Sequence, residues 1–294
     1  MTDTPGRETG GGEIFLSQNN YGKSEVRLVK VKRDTDRHEL WDLDVAVALE
    51  GDFDAAHIAG DNTNMLATDT MRNTVYALAK DHLTGSIEDF GLALVDHFLE
   101  AGPTVGRVRI EITQFPWNRI EVDGRPHEHS FTRGSGERKT KIVGDESGSR
   151  QVEAGIDDLF VLKTTNSGWE GFHREQYTTL PDTNDRILAT IITANWTYGD
   201  RTDLDFDHLW NGVRDQILTT FTDHYSLSAQ NTLYRMGKAI LERFPEIEKI
   251  HFSFPNKHHI PYDLGRFGIQ NDNEIFHATH DPYGLIEGTV ERKR

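Results

Sequence analysis

Leu43, Val45, Val47 and Leu49 alternate strictly with Asp42, Asp44, Ala46 and Ala48, and a period of two can bury its apolar members only as an extended strand with one wet face. The preceding KSEVRLVKVK carries Val26 and Leu28 on one face and Val29 and Val31 on the other, which reads as a strand buried partly on both sides. With the polar RDTDRHE between them, the two segments predict an antiparallel hairpin. From Thr70 to His82 the period becomes helical, with Met71, Val75 and Leu78 on one stripe and Asp69 available to cap the free N–H groups. A second helix is predicted from Ser86, where Ser86 and Asp89 form a capping pair, Phe90, Leu94 and Phe98 form the stripe, and Gly102-Pro103 stops it. Val108, Ile110 and Ile112 then return to alternation, and an extended stretch with Ile120 and Val122 follows Pro116-Trp117.

This β-β-α-α-β-β order recurs. Extended segments near 157–164 and 186–198, helical stretches near 206–222 and 228–243, and strands near 247–254 and 284–292 imply a second copy of the unit. The expectation is an α+β chain of two tandem units, each an antiparallel sheet with two helices on one face. The units span 21–138 and 139–294, behind a Gly-rich polar arm at 1–20 that has too little apolar surface to offset ordering entropy. The other sheet face needs a cover if it is apolar, which predicts oligomerisation; mixed charged and apolar positions would also suit a barrel with a wet interior.

Composition removes whole classes of function. The chain of 294 residues has no cysteine, so disulfide scaffolds, thiolate nucleophiles and Cys-containing zinc sites are excluded. Its 48 acidic against 32 basic residues give a formal charge of -16, which repels phosphate backbones and argues against a nucleic-acid partner. The carboxylates are spread along the chain, as a solvated surface or a salt-rich cytoplasm would require. No apolar run approaches the roughly 18 residues of a membrane span, and MTDTPGRETGGGE lacks the charged and apolar regions of a secretory signal. The location expected is the cytoplasm.

Among the 14 histidines, His127-Glu-His129, His258-His259 and His277-Ala-Thr-His280 have suggestive spacings. Neighbouring strand residues point to opposite faces, so His258 and His259 cannot share an ion, and no third ligand stands near the other pairs in sequence; no metal site is expected. No H-E-x-x-H, phosphate loop or G-x-S-x-G elbow occurs. What remains is polar residues in unusual company. Lys23 follows Tyr21-Gly22 at a strand start. Thr68-Asp69 stands at a helix entrance and is either an ordinary cap or an anion-holding terminus. Asp185-Arg186 opens an Ile-rich strand, where the arginine is either half of an ion pair or a planar fork for an anion. Pro255-Asn256-Lys257-His258 ends the strand HFSF, as a turn or as part of a site.

Together with these positions, YGKSEVRLVKV at 21, LATDTMRNTVYALAKDH at 66, REQYTTLPDTNDRILAT at 174, AQNTLYRMGKAIL at 229, PNKHH at 255 and PYGLIEGTVER at 282 resemble the urate oxidase (uricase) family, in its order and over nearly the whole chain from Tyr21. The resemblance implies the tunnelling fold, four chains forming a barrel-like homotetramer, and active sites shared between subunits. It implies oxidation of urate by dioxygen and water to 5-hydroxyisourate and hydrogen peroxide, the first step toward allantoin, with neither metal nor organic cofactor. Lys23, Thr68 and His258 would form the catalytic proton relay. Arg186 and Gln230 would clamp the purine edge, Asp69 and Ala229 would add backbone groups, and Asn256 would sit above the ring with Thr68 to hold dioxygen or water. Where the family usually stacks a phenylalanine beneath the purine, this chain has Trp169, with Phe172 close by in Asn166-Ser167-Gly168-Trp169-Glu170-Gly171-Phe172. The end Glu291-Arg292-Lys293-Arg294 lacks a Ser-Lys-Leu peroxisomal address, consistent with the cytoplasmic expectation. The rival reading is a pterin- or purine-acting enzyme of the same fold. Such relatives commonly hold zinc through Cys and His, and this chain has no Cys; a scaffold would have no need of the polar set.

Overall fold

The computed structural model describes residues 14–279 and 281–293. Strands β1 (Tyr21–Lys32) and β2 (Glu39–Gly51) lead into helices α1 (Thr68–His82) and α2 (Ile87–Ala101). Strands β3 (Val105–Gln114), β4 (Trp117–Val122), β5 (Arg125–Arg133) and β6 (Glu137–Asp145) follow, then β7 (Arg150–Lys163) and β8 (Leu188–Thr197). After α3 (Phe206–Thr222) and α4 (Ala229–Arg243) come β9 (Lys249–Pro255), β10 (His258–Pro261), β11 (Phe276–Thr279) and β12 (Leu285–Glu291). The chain is α+β. Eight strands form one antiparallel sheet in the order β1-β2-β3-β6-β7-β8-β9-β12, and β4-β5 and β10-β11 are separate hairpins. Among the described residues no helix is long and apolar enough to cross a membrane.

The sheet is buried on one side. Leu43, Val45, Val47 and Leu49 of β2 lie with Ile110 of β3, Ile192 of β8 and Phe252 of β9 against Met71, Val75, Phe90 and Leu94 of the first helix pair and Val213, Met236 and Ile240 of the second. The helices follow the predicted stripes, and α2 starts as the capping pair requires, with Ser86 Oγ accepting the Asp89 N–H. On β1, Val26 and Leu28 face this core, and Lys30 reaches from the same face to donate to the carbonyls of Ala79, Lys80 and Leu83 at the end of α1, where a cation complements the unsatisfied C=O groups. On the opposite face Val29 is exposed and Val31 half-buried, so β1 is buried chiefly on its helix side. On the helix-free face, Asp44, Glu111, Thr113, Lys139, Lys141, Glu153 and Asn195 line a shallow groove, while Val29, Phe160 and Leu162 stand exposed on the same side.

Two corrections concern the strands. The stretch with Ile120 and Val122 is β4, which pairs only with β5 and stands off the sheet; the fourth sheet strand of the first half is β6. Alternation hid β6 because two of its core-facing residues are Arg138 and Thr140, both buried beside Ile142. Position 138/139 therefore lies inside a strand, and the turn after β6 falls at 146–149. Of the expected N-terminal arm, residues 1–13 lie outside the described residues, and 14–20 have no regular secondary structure.

Charges hold these pieces in place. Asp42, 5% exposed, pairs with Arg27, accepts from Trp117 Nε1 at 2.9 Å and lies 3.5 Å from Arg133, which ties the β4-β5 hairpin to the sheet. Both guanidinium groups lie over the Phe115 ring, at 4.2 and 4.4 Å. Arg138 joins the two helix pairs: it bonds the fully buried Glu88 of α2 at 2.5 Å and Asp207 of α3 at 2.5 Å, with Trp210 5.4 Å from the guanidinium. Removing one partner of a buried pair strands the other charge, at a cost of about 3–5 kcal/mol. Glu88→Ala is expected to lower unfolding stability by an amount of that order in a denaturant titration; an unchanged midpoint would show that Asp207 alone satisfies Arg138.

Candidate active site

The site residues fall in two groups. In the first, Tyr21 and Gly22 open β1. Tyr21 packs edge-on against Phe53 at 4.8 Å and its hydroxyl accepts the Leu66 N–H at 3.0 Å, tying β1 to the segment that enters α1. Burial pushes the Tyr21 phenol up in pKa, opposed by that hydrogen bond. Between Lys23 and Val26 the register with β2 shifts, with Glu25 at φ 57°. Counting back in steps of two from Val26 would turn Lys23 away from the helices. The extra residue of the bulge instead sets it opposite Val47, whose side chain is in the core, so Lys23 lies on the helix side. Its ammonium has no hydrogen bond or ion pair among the described residues.

Helix α1 begins two residues earlier than the pattern suggested. Its N-cap is Ala67 and no side chain caps it, so neither Thr68 nor Asp69 is the expected cap. Asp69 lies inside the first turn and turns its carboxylate to Arg72 at 2.6 Å and Asn73 at 3.0 Å. The first N–H groups and the Thr68 hydroxyl are left open, a terminus suited to an anion or an electron-rich oxygen.

The second group gathers around the entrance to β8. Arg186 precedes the strand, and its N–H donates to Ser167 O at 2.9 Å. Among the described residues it forms no ion pair: the neighbouring Asp185 instead accepts from Thr165 at 2.8 Å. The Nε of Arg186 is buried without a partner, and burial pulls the guanidinium below the usual arginine range. Its Cζ lies 5.9 Å from the Trp169 ring centroid, and Trp169 stacks on Phe172 at 5.6 Å with 12° between planes. Trp169 is therefore the aromatic beside the arginine, and Phe172 lies next to Arg174. Trp169 is held by paired backbone bonds with Thr183 at 2.7 and 3.1 Å.

Three further chain segments join this group. Gly168 N–H donates to Ser226 O at 2.9 Å and Ser226 N–H to Asn166 O at 2.8 Å. Two residues on, Ser228 caps α4 by accepting the Asn231 N–H at 3.0 Å, which leaves Ala229 buried and Gln230 exposed in the first turn. Asn256 is bridged to Thr190 near the start of β8 and donates its N–H to Gly284 O at 2.8 Å, while Lys257 N–H donates to Ala189 O at 2.8 Å. His258, next along, pairs in register with Thr279. Tyr225 was not singled out by sequence reasoning and carried no local signal: its hydroxyl donates to Asn184 O at 2.8 Å and fills the space beside Gly168.

Within one chain the groups are apart. Lys23 lies on the first strand of the sheet order and Arg186 at the entrance to the sixth, five spacings or roughly 24 Å away. The register carries Lys23 through Val47, Ile110, Ile142 and Val152 to Tyr198, past the far end of β8 from Arg186. The histidine spacings bring no metal centre together: His127 and His129 meet edge-on at 4.6 Å with His38 beyond, His280 lies outside the described residues, and among the described residues no three His, Asp or Glu are placed to hold an ion.

A family model described as Uricase matches residues 19–143 and 152–287. The uricase of Arthrobacter globiformis is 48% identical over all of this chain and 95% of its own length, and that of Dictyostelium discoideum is 38% identical over 94% and 97%. The crystal structure of the Arthrobacter globiformis uricase superposes with a TM-score of 0.89 at 47% identity, covering 96% of each chain. A urate oxidase from Bacillus sp. TB-90, at 21% identity and a TM-score of 0.78, shares the fold.

The position of Lys23 depends on Gly22, where an added Cβ would lie 1.8 Å from Val47 O. Gly22→Ala is expected to push the start of β1 off β2, seen as faster amide exchange at 21–23 with the rest of the sheet protected. Unchanged exchange there would show that the bulge absorbs the methyl.

Proposed function

The chain belongs to the uricase family, and from that premise we propose that it is a urate oxidase whose active site is completed by two copies of the chain and works without metal or organic cofactor. The observation that carries the reading is Arg186: a desolvated guanidinium with an unpartnered Nε beside an aromatic face is costly unless a flat anion arrives to bond it. Urate in its anionic form is such a ligand. Arg186 and Gln230 would grip opposite edges of the purine, Trp169 would form the floor, and backbone groups of Asp69 and Ala229 would complete the rim.

Urate must lose a further proton before it is electron-rich enough to reduce dioxygen. Lys23, turned to the helix side and unpaired, would accept that proton as a neutral amine once substrate and a second copy have dried the site. Thr68, whose hydroxyl both donates and accepts, would pass it toward His258. Asn256 and Thr68 would hold dioxygen and then the attacking water over the ring, so that positioning supplies most of the catalysis. The products are 5-hydroxyisourate and hydrogen peroxide.

The separation of the two residue groups supports the shared site, since a second copy offers the missing half. The free edges β1 and β12 and the polar groove on the helix-free face support closure of sheets from several copies into a barrel with a wet interior, in a homotetramer. The order β1-β2-α1-α2-β3-β6 followed by β7-β8-α3-α4-β9-β12 supports two tandem units joined at the 146–149 turn. A cytoplasmic enzyme acting on a small molecule, with no nucleic-acid or membrane partner, fits the acidic chain.

The test is loss of urate's ultraviolet absorbance with and without chelator. Full activity after chelation is expected; a stoichiometric zinc requirement would favour the pterin-type rival. Lys23→Met should lower kcat on the order of 100-fold or more with a smaller effect on KM. Arg186→Ala should raise KM about tenfold or more. Co-expressing the two variants should restore about a quarter of wild-type activity, because a random mixed pair holds one site with both residues intact. No recovery in demonstrably mixed assemblies would sink the shared site.

A further inference from the structure

His224 ends the turn after α3 and has no part in the proposed chemistry, yet it stands behind the proposed clamp. Its Nδ1 lies against the Thr220 carbonyl, which can only accept, so Nδ1 carries the ring proton and Nε2 is left to accept. Nε2 is 3.1 Å from Thr232 Oγ1 and 3.2 Å from Ser226 Oγ, and Thr232 Oγ1 is also 2.9 Å from Ser226 Oγ and 3.0 Å from Ser228 O; each hydroxyl has a single proton to give, so Nε2 accepts from one of the pair while the other donates within the cluster. Ser226 and Thr232 are 0% and 1% exposed, so water cannot replace a lost partner. Lys163 fixes the backbone of the histidine by donating to its carbonyl at 2.8 Å.

This network is the junction of the substrate group. Ser226 is bonded through its backbone to Asn166 and Gly168, the segment that carries Trp169 and accepts from the Arg186 N–H. Thr232 lies in the first turn of α4, one turn from the cap that presents Ala229 and Gln230. The hydroxyl pair therefore sits where the arginine wall meets the glutamine wall, and His224 is the acceptor that orders it.

We propose that His224 is a positioning residue for substrate: through Ser226 and Thr232 it sets the separation between Arg186 with Trp169 on one side and Gln230 on the other. The inference rests on the clamp reading given above. A flat anion gripped at two edges is sensitive to that separation, so loosening it weakens binding while leaving Lys23 and Thr68, which belong to the other residue group, in place.

The experiment is steady-state urate oxidation by the full chain with His224→Leu, His224→Gln, Thr232→Val and the His224→Leu/Thr232→Val double variant, each with a thermal unfolding curve. His224→Leu keeps bulk and removes the acceptor, whereas the Gln carbonyl can stand in for Nε2. KM is expected to rise about tenfold in His224→Leu and in Thr232→Val with kcat within about twofold. His224→Gln should return KM close to wild type, and the double variant should be no worse than the poorer single one, as for residues in one network. If His224→Leu does not fold, Thr232→Val against Thr232→Ser carries the same comparison, since serine restores the hydroxyl. A lowered unfolding temperature with unchanged KM, or additive effects, would overturn the proposal while leaving urate oxidation standing. A wild-type chain that does not consume urate would overturn the clamp reading itself, and this inference with it.

Discussion

One-sided burial of the eight-stranded sheet is the constraint on which the other features depend. Four helices cover the face carrying Leu43, Val45, Val47, Ile110, Ile192 and Phe252, and the sheet gains its stability by removing that face from water. The groove on the opposite face is lined mostly by polar side chains, and among the described residues the two outermost strands, β1 and β12, each keep one unpaired edge. A lone chain thus presents open strand edges that can template further pairing. The two helix pairs have no turn in common; Arg138, between Glu88 and Asp207, ties them through charge.

The site residues stand at opposite ends of this sheet for the same reason. Helix starts and strand ends are where backbone groups and side chains escape the core, so α1 and α4 offer their N-termini there and β1 and β8 their entrances. Two devices tune those ends. A bulge turns Lys23 toward the helices, and an uncapped α1 leaves Thr68 open where most helices would spend a side chain on the terminus. Arg186 is a third departure from ordinary satisfaction of polar groups, since a buried guanidinium nitrogen without a partner is rare in a folded interior. Under the proposed function a ligand would complete the bonding that the protein leaves open at these positions.

Much of this was legible from periodicity. Helices α1 to α4 and most sheet strands follow the patterns that predicted them, and the fixed order of several motifs is that of the uricase family. The misses have specific causes. Strand β6 escaped because Arg138 and Thr140 occupy core-facing positions where alternation expects apolar residues. Asp69 looked like a cap because Asp commonly is one, but an Arg three residues on captured its carboxylate. Tyr225 left no sequence trace because its partner Asn184 is a neighbour only after folding, and the His224 network left none because its Ser and Thr partners, though local, match no motif.

The sequence by itself determined the four helices α1 to α4 and most of the sheet strands, the absence of cysteine, the acidic character and the family. Each of those follows from residue type and local spacing, which the chain carries whether folded or not. Only the tertiary structure decided that Lys23 faces the helices, that the buried Arg186 Nε has no partner among the described residues, and that the two residue groups lie at opposite corners of one sheet. Those outcomes depend on strand register and on contacts between distant segments, and a single bulged residue reverses which face a side chain takes.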